Sequence, residues 1–135
     1  MGFMNKLYIG GEWREASDGG TFEVLNPADE SVITKVSSGT TDDAIACVNA
    51  AEDAFDSWAS LSPRERGEVL RKAYELFMDK IDDIAHLITL ENGKAGGDAI
   101  GEARYAAEFF RWYAEEAVRS DGHLGMAPAT GARIL

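Results

Sequence analysis

The single thiol of this chain, Cys47, comes first, because a thiolate is an intrinsically strong nucleophile. It sits between Ala46 and Val48, with no activating base and no helix N-terminus beside it. It is therefore expected to pack as a small hydrophobe, a buried structural thiol. His86 and His123 are far apart and lack a partner one helical turn away. Neither is expected to hold a metal; each reads as a solvated or core histidine. The carboxylate pairs Asp42-Asp43, Asp82-Asp83 and Glu115-Glu116 are sequence neighbours. Adjacent residues on a helix point apart, so the pairs suit helix starts and solvated faces rather than general acid–base work. Gly93-Lys94-Ala95-Gly96-Gly97 has glycines but follows a helical segment, not a strand, and lacks the phosphate-loop pattern.

One further set has a functional spacing. Gly101, Tyr105, Phe109 and Trp112 fall at i, i+4, i+8 and i+11 and share a helix face, with Tyr113 beside them. Tyrosine and tryptophan join an apolar body to a polar tip, which suits the mouth of a pocket. The competing reading is that the stripe is buried packing between parts of a larger fold.

The elements that must hold these residues follow from periodicity. Residues 6–37 read as short strands: Leu7-Tyr8-Ile9 up to Gly10-Gly11, Glu12–Glu15, then Phe22, Val24, Val32, Ile33 and Val36. Ser17-Asp18-Gly19-Gly20 is a turn, and Asn26-Pro27 interrupts the strand. A helix is expected over 41–59, with Thr40 and Asp43 as a capping box and Ala44, Val48, Ala51, Phe55 and Trp58 as its apolar face. Ser62-Pro63-Arg64-Glu65 opens a second helical segment, 62–92, which the spacing predicts to break near Asp79–Asp82 with an aspartate capping the second piece. Gly93 is its natural stop. The last helix is expected over 98–119, its core stripe being Ile100, Ala103, Ala107, Phe110, Ala114 and Ala117. Met126–Gly131 reads as loop and Ala132–Leu135 as the start of an unpaired strand, which is expected of a truncated chain. The fold class is a mostly helical α+β piece of short N-terminal strands and three or four helices.

Composition narrows the partners. The chain has 135 residues and a formal net charge of −11. That charge disfavours nucleic acid and anionic membrane surfaces. No apolar run is long enough to span a bilayer, and the N-terminus is too short and polar for a signal peptide. One cysteine cannot form an internal disulfide, so a reducing, cytoplasmic setting is expected.

Three segments in order resemble the aldehyde dehydrogenase superfamily. They are Tyr8-Ile9-Gly10-Gly11-Glu12-Trp13 with Asn26-Pro27-Ala28; Ala50-Ala51-Glu52-Asp53-Ala54-Phe55 with Trp58 and Pro63-Arg64-Glu65-Arg66; and Leu90-Glu91-Asn92-Gly93-Lys94. Phe110-Arg111-Trp112-Tyr113-Ala114-Glu115-Glu116 is most similar to succinate-semialdehyde dehydrogenases, while Ala95 departs from the proline common after Gly-Lys.

The resemblance implies an α/β parent several times longer, with a Rossmann-type NAD(P) domain, a catalytic domain and an oligomerisation element. In such a parent residues 1–122 are the N-terminal portion of the NAD(P)-binding domain, and 123–135 a loop and the start of an oligomerisation-type strand. The implied reaction oxidises an aldehyde with NAD or NADP through a cysteine thiohemiacetal, an oxyanion held by amide donors and a glutamate-activated water. The family's motifs for those groups and its glycine-rich cofactor turn do not occur here. No catalytic or cofactor-binding residue is assigned, and no bound cofactor is expected. The resemblance puts the last helix at the substrate entrance, making Tyr105 the foremost contact with Gly101, Phe109 and Trp112. It also implies a monovalent-cation site using Glu91 and the carbonyl of Val24, against the reading of Glu91 as a solvated residue at a helix end. The implied partners are a small aldehyde and further copies in a homo-oligomer. A stand-alone helical interaction module and another aldehyde dehydrogenase subfamily are the alternatives.

Overall fold

The computed structural model describes residues 5–119, with 122, 125, 126, 128–130, 133 and 134. His123 lies outside them. Two β-hairpins come first. β1 (Leu7–Ile9) pairs antiparallel with β2 (Glu12–Arg14) across Gly10-Gly11. Both glycines have positive φ, 62° and 87°, as a tight two-residue hairpin turn demands. Tyr8 lies opposite Trp13, with ring centroids 4.9 Å apart. β3 (Thr21–Leu25) pairs with β4 (Val32–Ser37), with an irregularity at Val24/Leu25 where the chain enters the Asn26-Pro27 turn. The Asn26 side chain accepts from the Ala28 amide at 3.0 Å, which fixes that turn. The Ser37 amide donates to Asn5 O at 2.9 Å, linking the end of β4 to the chain just before β1.

The helices follow: α1 (Thr41–Ala59), α2 (Pro63–Asp79), α3 (Ile81–Asn92) and α4 (Gly96–Glu116), the last running into a 3-10 turn, Ala117–Arg119. Thr40 and Asp43 form the expected capping box, as do Ser62 and Glu65 around Pro63. Gly93 ends α3 at φ 74°, a left-handed conformation that favours glycine.

Three expectations need correcting. The break between α2 and α3 falls at Lys80, within the expected span, but no aspartate caps α3. A one-residue junction leaves backbone groups to do the capping: the Lys80 amide donates to Phe77 O at 3.1 Å, and its carbonyl accepts from Ile84 N at 3.0 Å. Asp82 and Asp83 lie instead in the first turn of α3, where they complement the helix dipole. Next, α4 starts at Gly96, so the two glycines expected ahead of the helix are inside it. Finally, Gly125–Met126 is not loop but β5, paired antiparallel with β6 (Arg133–Ile134). The terminal strand expected to be unpaired therefore has a partner.

The packed centre is helical. α2 and α3 lie against α4, and α4 meets them through Ala99, Ala103 and Ala107, all essentially fully buried. Alanine at these positions lets the helix backbones approach closely. Gly67 on α2 takes this furthest: a Cβ there would sit 2.8 Å from the Ala114 carbonyl oxygen. Phe77 and Phe110 close the same interface, with centroids 6.1 Å apart.

α1 is held separately, by Asp43. This carboxylate is 5% exposed. It accepts from the amides of Thr40 and Ser17, each at 3.0 Å, and from the Ser17 hydroxyl at 3.2 Å, with Arg14 at 3.8 Å. The Thr40 amide, then the Ser17 amide, hold its pKa down at about 2. The sign of the linkage follows. A pKa depressed on folding stabilises the native state above the unfolded value, near 3.9, and that contribution is lost as pH falls through about 2. Acid titration followed by circular dichroism should show Asp43→Asn less stable at neutral pH and less sensitive to pH between about 4 and 2 than the parent. Equal acid sensitivity in the two proteins would remove Asp43 as the latch of α1.

Candidate functional site

α4 has two faces of opposite character. Its alanine face is buried, while Tyr105 is 67% exposed and Trp112 63%. The sequence between them explains the division: aromatic residues recur at i+4 and i+7 from Tyr105, while small residues recur on the other side at four-residue steps. The Tyr105 and Phe109 rings meet edge to face, with centroids 5.0 Å apart and planes at 81°, a favourable arrangement for aromatic quadrupoles. Together with Glu108, Trp112 and Tyr113 they line an open groove of about 330 Å³, which is within the lower range of small-molecule sites, roughly 300–1,000 Å³.

The structure thus brings together Tyr105, Phe109 and Trp112 from the expected set. Gly101 lies one turn earlier on the exposed side of α4 but does not line the groove, and a Cβ there would meet nothing within 4 Å. Sequence reasoning overlooked Glu108. It sits three residues after Tyr105, a spacing that could have placed it beside the aromatic ring. Its carboxylate pairs with Arg111 at 2.7 Å, and the Arg111 guanidinium lies 5.7 Å from the Tyr74 ring centroid on α2. The groove is thereby tied to the helical core through one ion pair and one cation–π contact.

The other candidates are scattered. Glu91 is exposed in the last turn of α3, and Val24 is half-buried on β3. Pro27, after β3, lies close to Gly93, after α3: its Cγ would be 3.1 Å from a Cβ on that glycine. Among the described residues no group of three or more His, Cys, Asp and Glu gathers as a metal cluster. His86 is exposed. Cys47 is not the buried thiol expected but an exposed one. It faces a surface groove with Gly10, Gly11 and Ala51. The preference of free cysteine for burial assumes that the helix face carrying it is covered, and the outward face of α1 is open.

A nicotinamide dinucleotide does not fit the residues present. Dinucleotide sites use a glycine-rich turn between a parallel strand and a helix. The described strands form three two-stranded antiparallel sheets, and Gly93 joins helix to helix while Gly96 and Gly97 open α4 behind another helix, not behind a strand. No helix among the described residues is long and apolar enough to cross a membrane.

Comparison with known proteins places the chain in a family. The aldehyde dehydrogenase family profile matches residues 13–134, and the chain belongs to that family. It is 40% identical over 133 residues to succinate-semialdehyde dehydrogenase 1 (NADP(+)) of Schizosaccharomyces pombe, covering 98% of this chain and 27% of that protein. It is 42% identical over 120 residues to a glutarate-semialdehyde dehydrogenase of Pseudomonas putida, covering 89% of this chain and 25% of that protein. The crystal structure of an aldehyde dehydrogenase from Brucella melitensis biovar abortus 2308 superposes with a TM-score of 0.90 at 40% identity, covering 96% of this chain and 27% of the other. The chain therefore spans about a quarter of the length of these relatives.

Proposed function

We propose that this chain is the N-terminal portion of an NAD(P)-dependent aldehyde dehydrogenase whose substrate is succinate semialdehyde, and that alone it is a non-catalytic scaffold. The observation that carries the reading is the near end-to-end match to relatives named for semialdehydes bearing a terminal carboxylate, over only a quarter of their length. The five-carbon substrate named for the Pseudomonas putida relative supports glutarate semialdehyde as the second candidate. NADP is favoured over NAD by the cofactor in the name of the Schizosaccharomyces pombe relative.

Within this proposal, residues 1–122 flank the cofactor sheet of the full-length enzyme, and 123–135 begin an oligomerisation strand. The α4 groove walls the substrate entrance, with Tyr105 as its foremost contact. Glu91 and the Val24 carbonyl contribute to a monovalent-cation site that further oxygen ligands complete. The enzyme is a cytoplasmic homo-oligomer. The single cysteine supports a reducing compartment, and three two-stranded sheets with open edges support association.

The expected result is that the 135-residue chain yields no NADPH or NADH from succinate semialdehyde, whereas the full-length gene product does. Turnover by the short chain that disappears in Cys47→Ala would overturn the scaffold reading. A full-length product active on other aldehydes but on neither semialdehyde would overturn the substrate.

A further inference from the structure

We infer that Asn92, at the junction of α3 and α4, is a site of spontaneous covalent modification: its side-chain amide converts through a cyclic imide to aspartate and isoaspartate, at a rate set by opening of the last turn of α3. The reaction needs the backbone nitrogen of the next residue to reach the side-chain carbonyl carbon. The chain has four asparagines, Asn5, Asn26, Asn49 and Asn92. Pro27 follows Asn26 and has no N–H to give up. Lys6 and Ala50, after Asn5 and Asn49, each carry a Cβ that crowds the attacking nitrogen. Asn92 alone precedes a glycine. It is exposed and is the last residue of α3, whereas Asn49 lies mid-helix in α1.

The bonds balance without any oxidant or reductant. The Gly93 nitrogen attacks the Asn92 side-chain carbonyl carbon, a C–N bond forms, and the bond to the side-chain NH2 breaks. Ammonia leaves with the proton that the Gly93 nitrogen gives up. Water then opens the imide. Cleavage at the side-chain carbonyl yields aspartate; cleavage at the backbone carbonyl yields isoaspartate, with the main chain rerouted through the side chain.

The fold both creates this site and restrains it. Gly93 sits at φ 74°, and a Cβ there would lie 3.1 Å from Pro27 Cγ. Backbone angle and neighbour together demand glycine, so the reactive pair cannot be removed by enlarging residue 93. In the closed state the Gly93 N–H donates to Thr89 O at 2.9 Å, and the helical backbone of Asn92 holds that nitrogen away from its own side chain. Helix ends fray, and opening this turn costs a terminal hydrogen bond rather than the fold. The products matter because Gly93–Ala95 is all that joins α3 to α4. Isoaspartate lengthens the main chain there by one carbon. Either product sets a carboxylate beside Glu91 at the negative end of the α3 dipole. Lys94, paired with Glu102 on α4, is two residues away, so the change loosens the seat of α4.

The test is an incubation of the 135-residue chain at mildly alkaline pH, followed by peptide mapping. Mass spectrometry reads the gain from exchanging NH2 for OH, and electron-transfer fragmentation identifies isoaspartate. Isomerised aspartates such as Asp18 gain no mass and cannot imitate it. Asn92 should convert at least about tenfold faster than Asn49, whose amide is released only by opening the middle of α1. It should convert more slowly in the folded chain than in urea, where the turn is gone. Asn92→Gln, whose longer side chain must close a larger and slower ring, should keep its melting temperature through the incubation while the parent loses some. Equal rates at Asn92 and Asn49 would overturn the inference. So would equal rates for Asn92 with and without urea, or the same fall in melting temperature in the parent and Asn92→Gln.

Discussion

Gly67→Ala should lower the melting temperature of this chain, and Gly101→Ala should raise it, although both replace a helical glycine by the best helix former. The helix term is the same at both sites and favours alanine by about 0.5–1 kcal/mol. The surroundings differ. At Gly101 a new methyl meets nothing within 4 Å, so the propensity gain stands alone. At Gly67 the methyl would lie 2.8 Å from the backbone carbonyl oxygen of Ala114. Backbone cannot rotate away as a side chain can, so α2 and α4 must separate. Forcing a methyl into a packed interface costs about 1–3 kcal/mol, which outweighs the propensity gain. A net loss of about 1–2 kcal/mol lowers the midpoint by about 2–8 °C per kcal/mol for domains near this size. Gly67→Val adds branching and should be worse. Thermal melts of the three variants decide it; a rise for Gly67→Ala would mean that α2 and α4 are not in close contact at this point.

Tyr105→Ala in the full-length enzyme should change substrate handling while leaving stability nearly untouched. The side chain is 67% exposed, and its ring meets Phe109 edge to face. Substitutions at exposed sites usually stay within about 0.5 kcal/mol of neutral. A pocket contact of this size shifts discrimination between substrates by about tenfold or more. KM for succinate semialdehyde, or its selectivity against longer aldehydes, should therefore move by about that factor, with kcat little affected. An unmoved selectivity beside a collapse in melting temperature would make Tyr105 a buried packing residue of the complete fold instead.

What could be read without coordinates was local. Thr40 with Asp43, and Ser62-Pro63 with Glu65, announce helix starts because capping is a bargain among residues three apart. Gly10-Gly11 and Gly93 announce turns because few other residues tolerate their backbone angles. The errors share a cause. The Lys80 junction is capped by backbone groups, which carry no residue signature. Gly96 and Gly97 look like helix breakers, yet α4 begins with them. Cys47 was expected to be buried because free cysteine packs as a small hydrophobe, but neither that habit nor the periodicity of the α1 stripe reports whether anything covers the face. For the site, the aromatic spacing on α4 was legible, whereas the Glu108–Arg111–Tyr74 link was not, since it needs two helices placed side by side.

The pairing pattern also bears on the order in which such an enzyme is built. Each hairpin joins strands adjacent in sequence, and α4 packs on the two helices that precede it. Loops this short cost little entropy to close, and chains dominated by local contacts fold in microseconds to milliseconds. Ribosomes add about 5–20 residues per second. Under the function proposed above, in a chain of its relatives' length, about four times its own, this region can complete its own packing while the remainder is still being translated. The open hairpin edges and the bare side of α1 would then spend tens of seconds in water. Over that interval the acidic charge of −11 keeps neighbouring nascent chains apart on a polysome.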